Sequence, residues 1–544
     1  MLAIITLSGM VTLGVHGYLK FTEIQPAHAG LINIALVGTP RFLNPVLTQI
    51  NDVDSELSLV IFSGLFKYDV SGNLVPDLAE GFTVIDDGKT YEITLRKNLK
   101  WHDGQPLTVD DVIFTLQIIQ NPDYKSPLRS LWQGINFEKI DGQKIAIKIG
   151  TVYAPFPGNL TFGILPKHLW EGVSATSFAL SELNLKPIGS GPYQFVKYQK
   201  DASGTVKSFE VEAFEDYFLG KPFISDITFN FYSSEADAYS AYRKGETQAF
   251  SLVSSEDWKE LDVTKNANLT IYPAKLPRYF AVFFNQEQNK FLADKTVRQA
   301  LAYAANKPEI IKQVLGDYGT EINSPLIPGI NNYTENMPVY NFSIDQAKSL
   351  LAANGWKDID NDGILELEKD KAQPKLEFTL TTVGWPELTE TANLLQNQWQ
   401  QIGVKVNLQI VDALKVQNEI IKPRQYQALL FGEVIGIEPD LFHFWHSSQK
   451  KDTGLNLAAY EKIDVDRLLA GALEDMDNAS RMQKYTQAAG LIAADLPAIF
   501  LFSPNYLFVA DSAIKNVKLD VLNAPANRFS QINAWYVKTT RAWK

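Results

Sequence analysis

Apolar positions along the chain recur with two periods, the two-residue repeat of a strand and the 3.6-residue repeat of a helix. Leu31 to Val37 is a near-continuous apolar run that predicts a buried strand, ended by Gly38 and followed by an irregular loop, Thr39 to Pro45. Tyr91, Ile93 and Leu95 alternate with Glu92, Thr94 and Arg96, which predicts a half-buried antiparallel strand. Thr108 and Asp111 open a helix as a capping box, Val112, Ile113 and Leu116 give it one apolar face, and Asn121-Pro122 stops it. Further helices are predicted over 295–305 and 309–315, the second entered through Lys307-Pro308. Another spans 344–354, with Ser343 as N-cap, Gln346 completing the capping box and Gly355 just past the end.

The second half reads as a β-α-β unit. Leu376, Phe378 and Leu380 alternate with polar neighbours, 387–402 carries helical periodicity up to Gly403, and Val404, Val406, Leu408 and Ile410 alternate again. Strands joined through a helix run parallel with a right-handed crossover, so the expected class is α/β. Ligands of such sheets bind beyond the carboxyl ends of the strands. That rule selects the loop Thr382 to Pro386 and, after a strand from Ala428 to Phe431, the loop Gly432 to Pro439. Trp385, Phe431 and Glu433 are therefore candidate ligand contacts.

A length of 544 residues exceeds one ordinary core and implies two or more lobes. The net charge of −12, with no basic cluster carrying interleaved aromatics, argues against nucleic acid. With no cysteine there are no disulfides, thiolate metal sites or lipid-bearing thiols. Residues 1–19 are apolar enough to enter a membrane, and Ala27-His28-Ala29 has the small-x-small form of a signal-peptidase site. A cleaved signal peptide or a membrane anchor within residues 1–29 is expected, placing 30–544 outside the cytoplasm.

Tests for chemistry come back weak. Gly88-Lys89-Thr90 ends like a phosphate loop, but Thr83 stands where its first glycine belongs. Ser190, in Gly189-Ser190-Gly191, lacks the spacing of a nucleophile elbow. His443 and His446 stand three apart without an intervening glutamate and read as polar positions on an aromatic-rich helix rather than a metal pair. Asp358, Asp360, Asp362 and Gly363 match the opening of a calcium loop, yet its twelfth position is Lys369, so an acidic turn is the favoured reading. No enzyme activity, resident metal or cofactor is expected.

The run Leu74 to Phe82, then Leu95 to Gly104 (which includes Trp101-His102-Asp103-Gly104), then Leu107 to Phe114 closely resembles the signature region of family 5 of the bacterial extracellular solute-binding proteins. Gly189 to Tyr193, Val297 to Tyr303 and Asp495 to Ile499 resemble later landmarks of that family in the same order. The resemblance implies a two-lobed type II periplasmic-binding-protein fold (cluster C, enlarged first lobe) with an interlobe ligand crevice. It places a first lobe at 30–53, 185–271 and 504–544, an inserted subdomain at 54–184, and a second lobe at 272–503. It also implies capture of a peptide-like solute, delivery to an ABC permease and its ATPase subunits, and a monomer in the periplasm or at the outer face of the cytoplasmic membrane.

In peptide binders of this family an aspartate four residues before the proline of an acidic-Pro segment pairs with the ligand's amino terminus. Glu438-Pro439-Asp440 matches the segment, but the position four before Pro439 is Ile435. Arg41 or Glu433 is left to orient a polar ligand end, with Tyr279, Trp385, Phe431 and Trp445 as walls. The rival expectations are a sensor or interaction protein on the same fold, a binder of a non-peptide solute, and a periplasmic hydrolase.

Overall fold

The computed structural model describes residues 16, 18–48, 51–252, 268–330, 337–368 and 370–543. Apart from residues 16, 18 and 19, the apolar segment 1–19 lies outside them. No helix among the described residues is long and apolar enough to cross a membrane. Ala27-His28-Ala29 is tied to the body, with Ala27 N–H donating to the Lys538 carbonyl at 2.9 Å and the His28 ring stacked on Phe223.

In chain order, the strands and helices that position the candidate residues are β1 (Leu31–Val37), α1 (Asp52–Ile61), β2 (Ala79–Ile85), β3 (Thr90–Leu95), α2 (Val109–Gln120), β4 (Asn136–Lys139) and β5 (Lys144–Lys148). They continue through β6 (Tyr193–Lys200), β7 (Val206–Ala213), β8 (Asp226–Tyr232), β9 (Ala249–Leu252), β10 (Leu269–Lys275) and β11 (Arg278–Phe284). Three helices follow, α3 (Lys295–Ala304), α4 (Lys307–Leu315) and α5 (Ile344–Ala353). The chain then runs through β12 (Glu377–Val383), α6 (Pro386–Gln400), β13 (Lys405–Val411), β14 (Ala428–Val434), α7 (Leu441–Trp445), α8 (Ile463–Leu473), α9 (Asn478–Asp495) and β15 (Ala498–Asp511).

One long sheet runs β13-β12-β14-β11-β15-β9-β1-β8-β7-β6, with β10 also paired to β15. The β12-α6-β13 unit is parallel as its periodicity predicts, and β14 joins β12 in parallel on the other side. A separate antiparallel sheet, β2-β3-β5-β4, forms within the stretch between β1 and β6.

The sheet serves two large apolar cores and a smaller third cluster around Tyr242, Phe250 and Val509. Of the large cores, one gathers Phe283, Trp399, Leu430 and Phe500; the other gathers Ile34, Tyr91, Trp101 and Phe229. The division falls within β15. Its Ala498 to Phe502 pair with β11, while Asn505 to Asp511 pair with β10, and Ser503-Pro504 separate the two. The fold is therefore two-lobed, with one strand common to both lobes.

Local sequence explains the element ends. Thr108 caps α2 in a full capping box, its N–H donating to Asp111 Oδ2 at 2.8 Å. Ser343 Oγ accepts from Gln346 N–H at 3.2 Å, and the glutamine side chain makes no return bond. At Gly189 a Cβ would lie 1.9 Å from the Ile61 carbonyl, so only glycine lets this segment lie against the end of α1. Ser190, next to it, is 1% exposed and, among the described residues, within hydrogen-bond range only of Ser63, a packing role rather than a nucleophile's.

Candidate functional site

β14 runs three residues further than its apolar pattern predicts, because β11 pairs with it as far as Arg278 opposite Val434. Glu433 therefore lies in a strand and not in a loop. The antiparallel register sets Glu433 opposite Tyr279 and Phe431 opposite Ala281, and the two-residue repeat puts all four on one face.

On that face the Tyr279 hydroxyl donates to Glu433 Oε2, and Trp445 Nε1, from α7, donates to the Tyr279 oxygen at 3.3 Å. All three side chains are buried. Burial pushes the Glu433 carboxyl well above the usual carboxylate range, against the lowering effect of the Tyr279 bond. It raises the Tyr279 hydroxyl as well. Three predicted contacts thus meet in one sealed cluster that the solvent does not reach.

Trp385 and Phe431 are the open pair. Trp385 sits at the N-cap of α6, just past the carboxyl end of β12, is 41% exposed, and stacks on Phe431 with ring centroids 6.1 Å apart and planes at 25°. Arg41 lies on the other lobe, in the loop after β1. Its backbone N–H and that of Phe42 donate to the two Asp54 oxygens at 2.7 and 3.0 Å, while its side chain is exposed. These loop residues line a cavity of 480 Å³ with Gly38, Thr39 and Asp52.

The acidic-Pro segment is engaged internally. Glu438 pairs with Arg481 at 2.6 Å, and Asp440 Oδ2 takes His443 Nδ1 at 2.8 Å and the hydroxyl of Tyr153, whose ring packs on the core around Trp101, at 3.2 Å. Ile435 is buried, with its N–H on the Pro277 carbonyl at 2.8 Å. His446 stacks on Phe442 instead of converging with His443.

The calcium-like loop is built differently from its motif. The carboxylates that converge are Asp358, Asp360 and Glu366, with Asp362 outside the group. The Lys375 ammonium stands beside them, 3.0 Å from Asp360 and 3.5 Å from Glu366, and also bonds Asp362. Lys375, thirteen residues beyond Asp362, supplies positive charge from the chain itself.

Residues 73–454 match the model for "Bacterial extracellular solute-binding proteins, family 5 Middle". The oligopeptide-binding protein AppA of Bacillus subtilis (strain 168) is 31% identical over 489 residues, which is 88% of this chain and 87% of that protein. The AppA structure in complex with a nonapeptide superposes with a TM-score of 0.69 at 30% identity, covering 94% of this chain and all of that one. NikZ from Campylobacter jejuni in complex with Ni(L-His) gives a TM-score of 0.71 at 28% identity, with the same coverage.

Proposed function

The chain belongs to family 5 of the bacterial extracellular solute-binding proteins, and on that premise we propose that it captures a peptide-like solute between its lobes and presents it to the permease of an ABC-type importer. The observation that carries this reading is the Trp385–Phe431 stack, a broad aromatic face left open where β12 and β14 end. Burying such a face against a ligand gains apolar area with little loss of side-chain freedom. In this reading the chain crosses between lobes at Leu276-Pro277 and at Ser503-Pro504, and rotation about these two points closes Arg41's lobe onto Trp385's. Residues 54–184 then act as an insert of the first lobe.

Thermal unfolding of the full chain against short peptides, N-blocked peptides, oligosaccharides and nickel-histidine complexes tests the proposal. A true ligand at 100 times its Kd adds about 2.7 kcal/mol, an upward shift of about 2 °C for a chain of this length. Peptides are expected to give that shift; a shift with sugars or nickel-histidine alone would replace the peptide-like assignment, and none with any solute would overturn capture.

A further inference from the structure

A two-stranded ribbon alone in water is marginal, because it has no layer on which to bury its apolar side chains. This chain builds one from its two ends. Thr22–Pro26 pairs antiparallel with Thr539–Trp543, Thr22 opposite Trp543 and Ile24 opposite Arg541, and no further strand among the described residues joins them. Directly opposed residues share a side, so Ile24, Arg541 and Trp543 lie on one side of the ribbon.

That side is not laid on either large core. Ile24 is 64% exposed and Trp543 71%; in the helical residues just ahead of the ribbon, Phe21 is 58% exposed and Tyr18 and Leu19 are open as well. The rings are held in place. Tyr18 meets Trp543 edge-on with centroids 6.0 Å apart, and Lys20 Nζ lies 5.9 Å from the centre of the Phe21 ring. Arg541 Nη1 donates to Thr22 Oγ1 at 3.0 Å and to the Thr22 carbonyl at 3.3 Å, tying the two strands. Single apolar residues on a surface are ordinary, whereas five gathered on one short stem mark a contact.

Two observations indicate what covers it. The sequence directly ahead, residues 1–17, is apolar and holds no Asp, Glu, Lys or Arg, so it leads the ribbon to a bilayer rather than to a protein groove. Segments 18–26 and 538–544 carry Lys20, Lys538, Arg541 and Lys544 against Glu23 alone, in a chain of net charge −12. Aromatic rings beside cations suit the membrane–water interface, where rings sit among the headgroups and Lys or Arg meets anionic lipid. The ribbon leads into the start of β1, whereas the Arg41 loop follows its end, so seating the ribbon leaves the crevice side open.

We propose that this ribbon is a membrane contact: its rings enter the headgroup region of an anionic bilayer and its cations meet the lipid phosphates, so that both ends of the chain hold the carrier at the membrane. The inference requires residues 18–26 to stay attached, and it stands whichever solute the crevice takes.

Flotation of the full chain with phosphatidylcholine vesicles, with and without phosphatidylglycerol, tests it. Wild-type protein is expected to partition at least tenfold better when phosphatidylglycerol is present and to lose that gain in high salt. The triple variant Phe21→Gln, Ile24→Thr, Trp543→Thr should lower partitioning at least tenfold. Lys20→Gln with Lys538→Gln should erase the phosphatidylglycerol preference and keep the weaker binding to neutral vesicles. An unchanged thermal midpoint in both variants separates loss of contact from loss of fold. Lipids brominated near the headgroup give a second reading, since they should quench tryptophan emission less in Trp543→Phe than in the wild type. Partitioning that survives the triple variant, equal binding to both vesicles, equal quenching, or a mature amino terminus at Gly30 by mass spectrometry overturns the proposal. Ribbon variants that abolish a dimer and leave vesicle binding intact assign the surface to a second copy of the chain instead.

Discussion

His102 accepts the Gly189 N–H at Nδ1 and meets the Gly191 carbonyl at Nε2, both at 3.1 Å. An N–H can only donate and a carbonyl only accept, so Nδ1 is bare, Nε2 carries the proton and the ring is neutral. Burial agrees, holding its pKa down to about 4 against the raising effect of the Gly191 bond. A histidine depressed from about 6.5 binds more protons unfolded than folded between those two values. Its stabilising effect is present above pH 6.5 and is lost as pH falls towards 4, by up to about 3 kcal/mol. Denaturant midpoints from pH 7 to 4 should fall steeply in the wild type, and His102→Gln should flatten that slope while lowering stability at pH 7; an unchanged slope would show that His102 titrates normally. Trp101-His102 and Gly189-Ser190-Gly191 are both visible in the sequence as separate motifs. Their contact is not, because nothing local says that residues 87 apart share hydrogen bonds.

At the scale of elements, capping and periodicity were the dependable guides. α2 begins at Thr108 and ends at Asn121 as its pattern predicts, and β12-α6-β13 is the parallel unit expected from alternating periods. Thr108→Ala removes the side-chain acceptor for the first turn and is expected to cost about 1 kcal/mol, read as a lower urea midpoint with an unchanged slope. A loss of several kcal/mol would mean that Thr108 supports more than its own helix. Local pattern and structure part where a partner strand or a distant side chain decides. The apolar pattern ends β14 at Phe431, since Gly432 and Glu433 break the run, yet pairing with β11 carries it to Val434. In the calcium-like loop, Lys375 brings its ammonium to Asp360, Asp362 and Glu366 from beyond the loop, a contact that the spacing of the acids does not announce.

For the whole molecule, the order of the later motifs reflects how the lobes are held together. Arg298, from one family-like run, donates to the carbonyls of Asp495 and Leu496 in another, and so fixes the end of α9 where the chain turns into β15. β15 then fills a place in both halves of the long sheet, and its Phe500 and Phe508 sit in different cores. A chain ending at Pro497 is expected to be digested by protease along its whole length, whereas survival of a fragment from either half would mean that half closes without β15. The same strand sets a clock on biogenesis. Ordinary multidomain chains compact from the front as they leave the ribosome. Here neither lobe can complete its share of the long sheet until residue 498 and those after it have been made, so both halves reach their final packing together, with the last stretch of the chain.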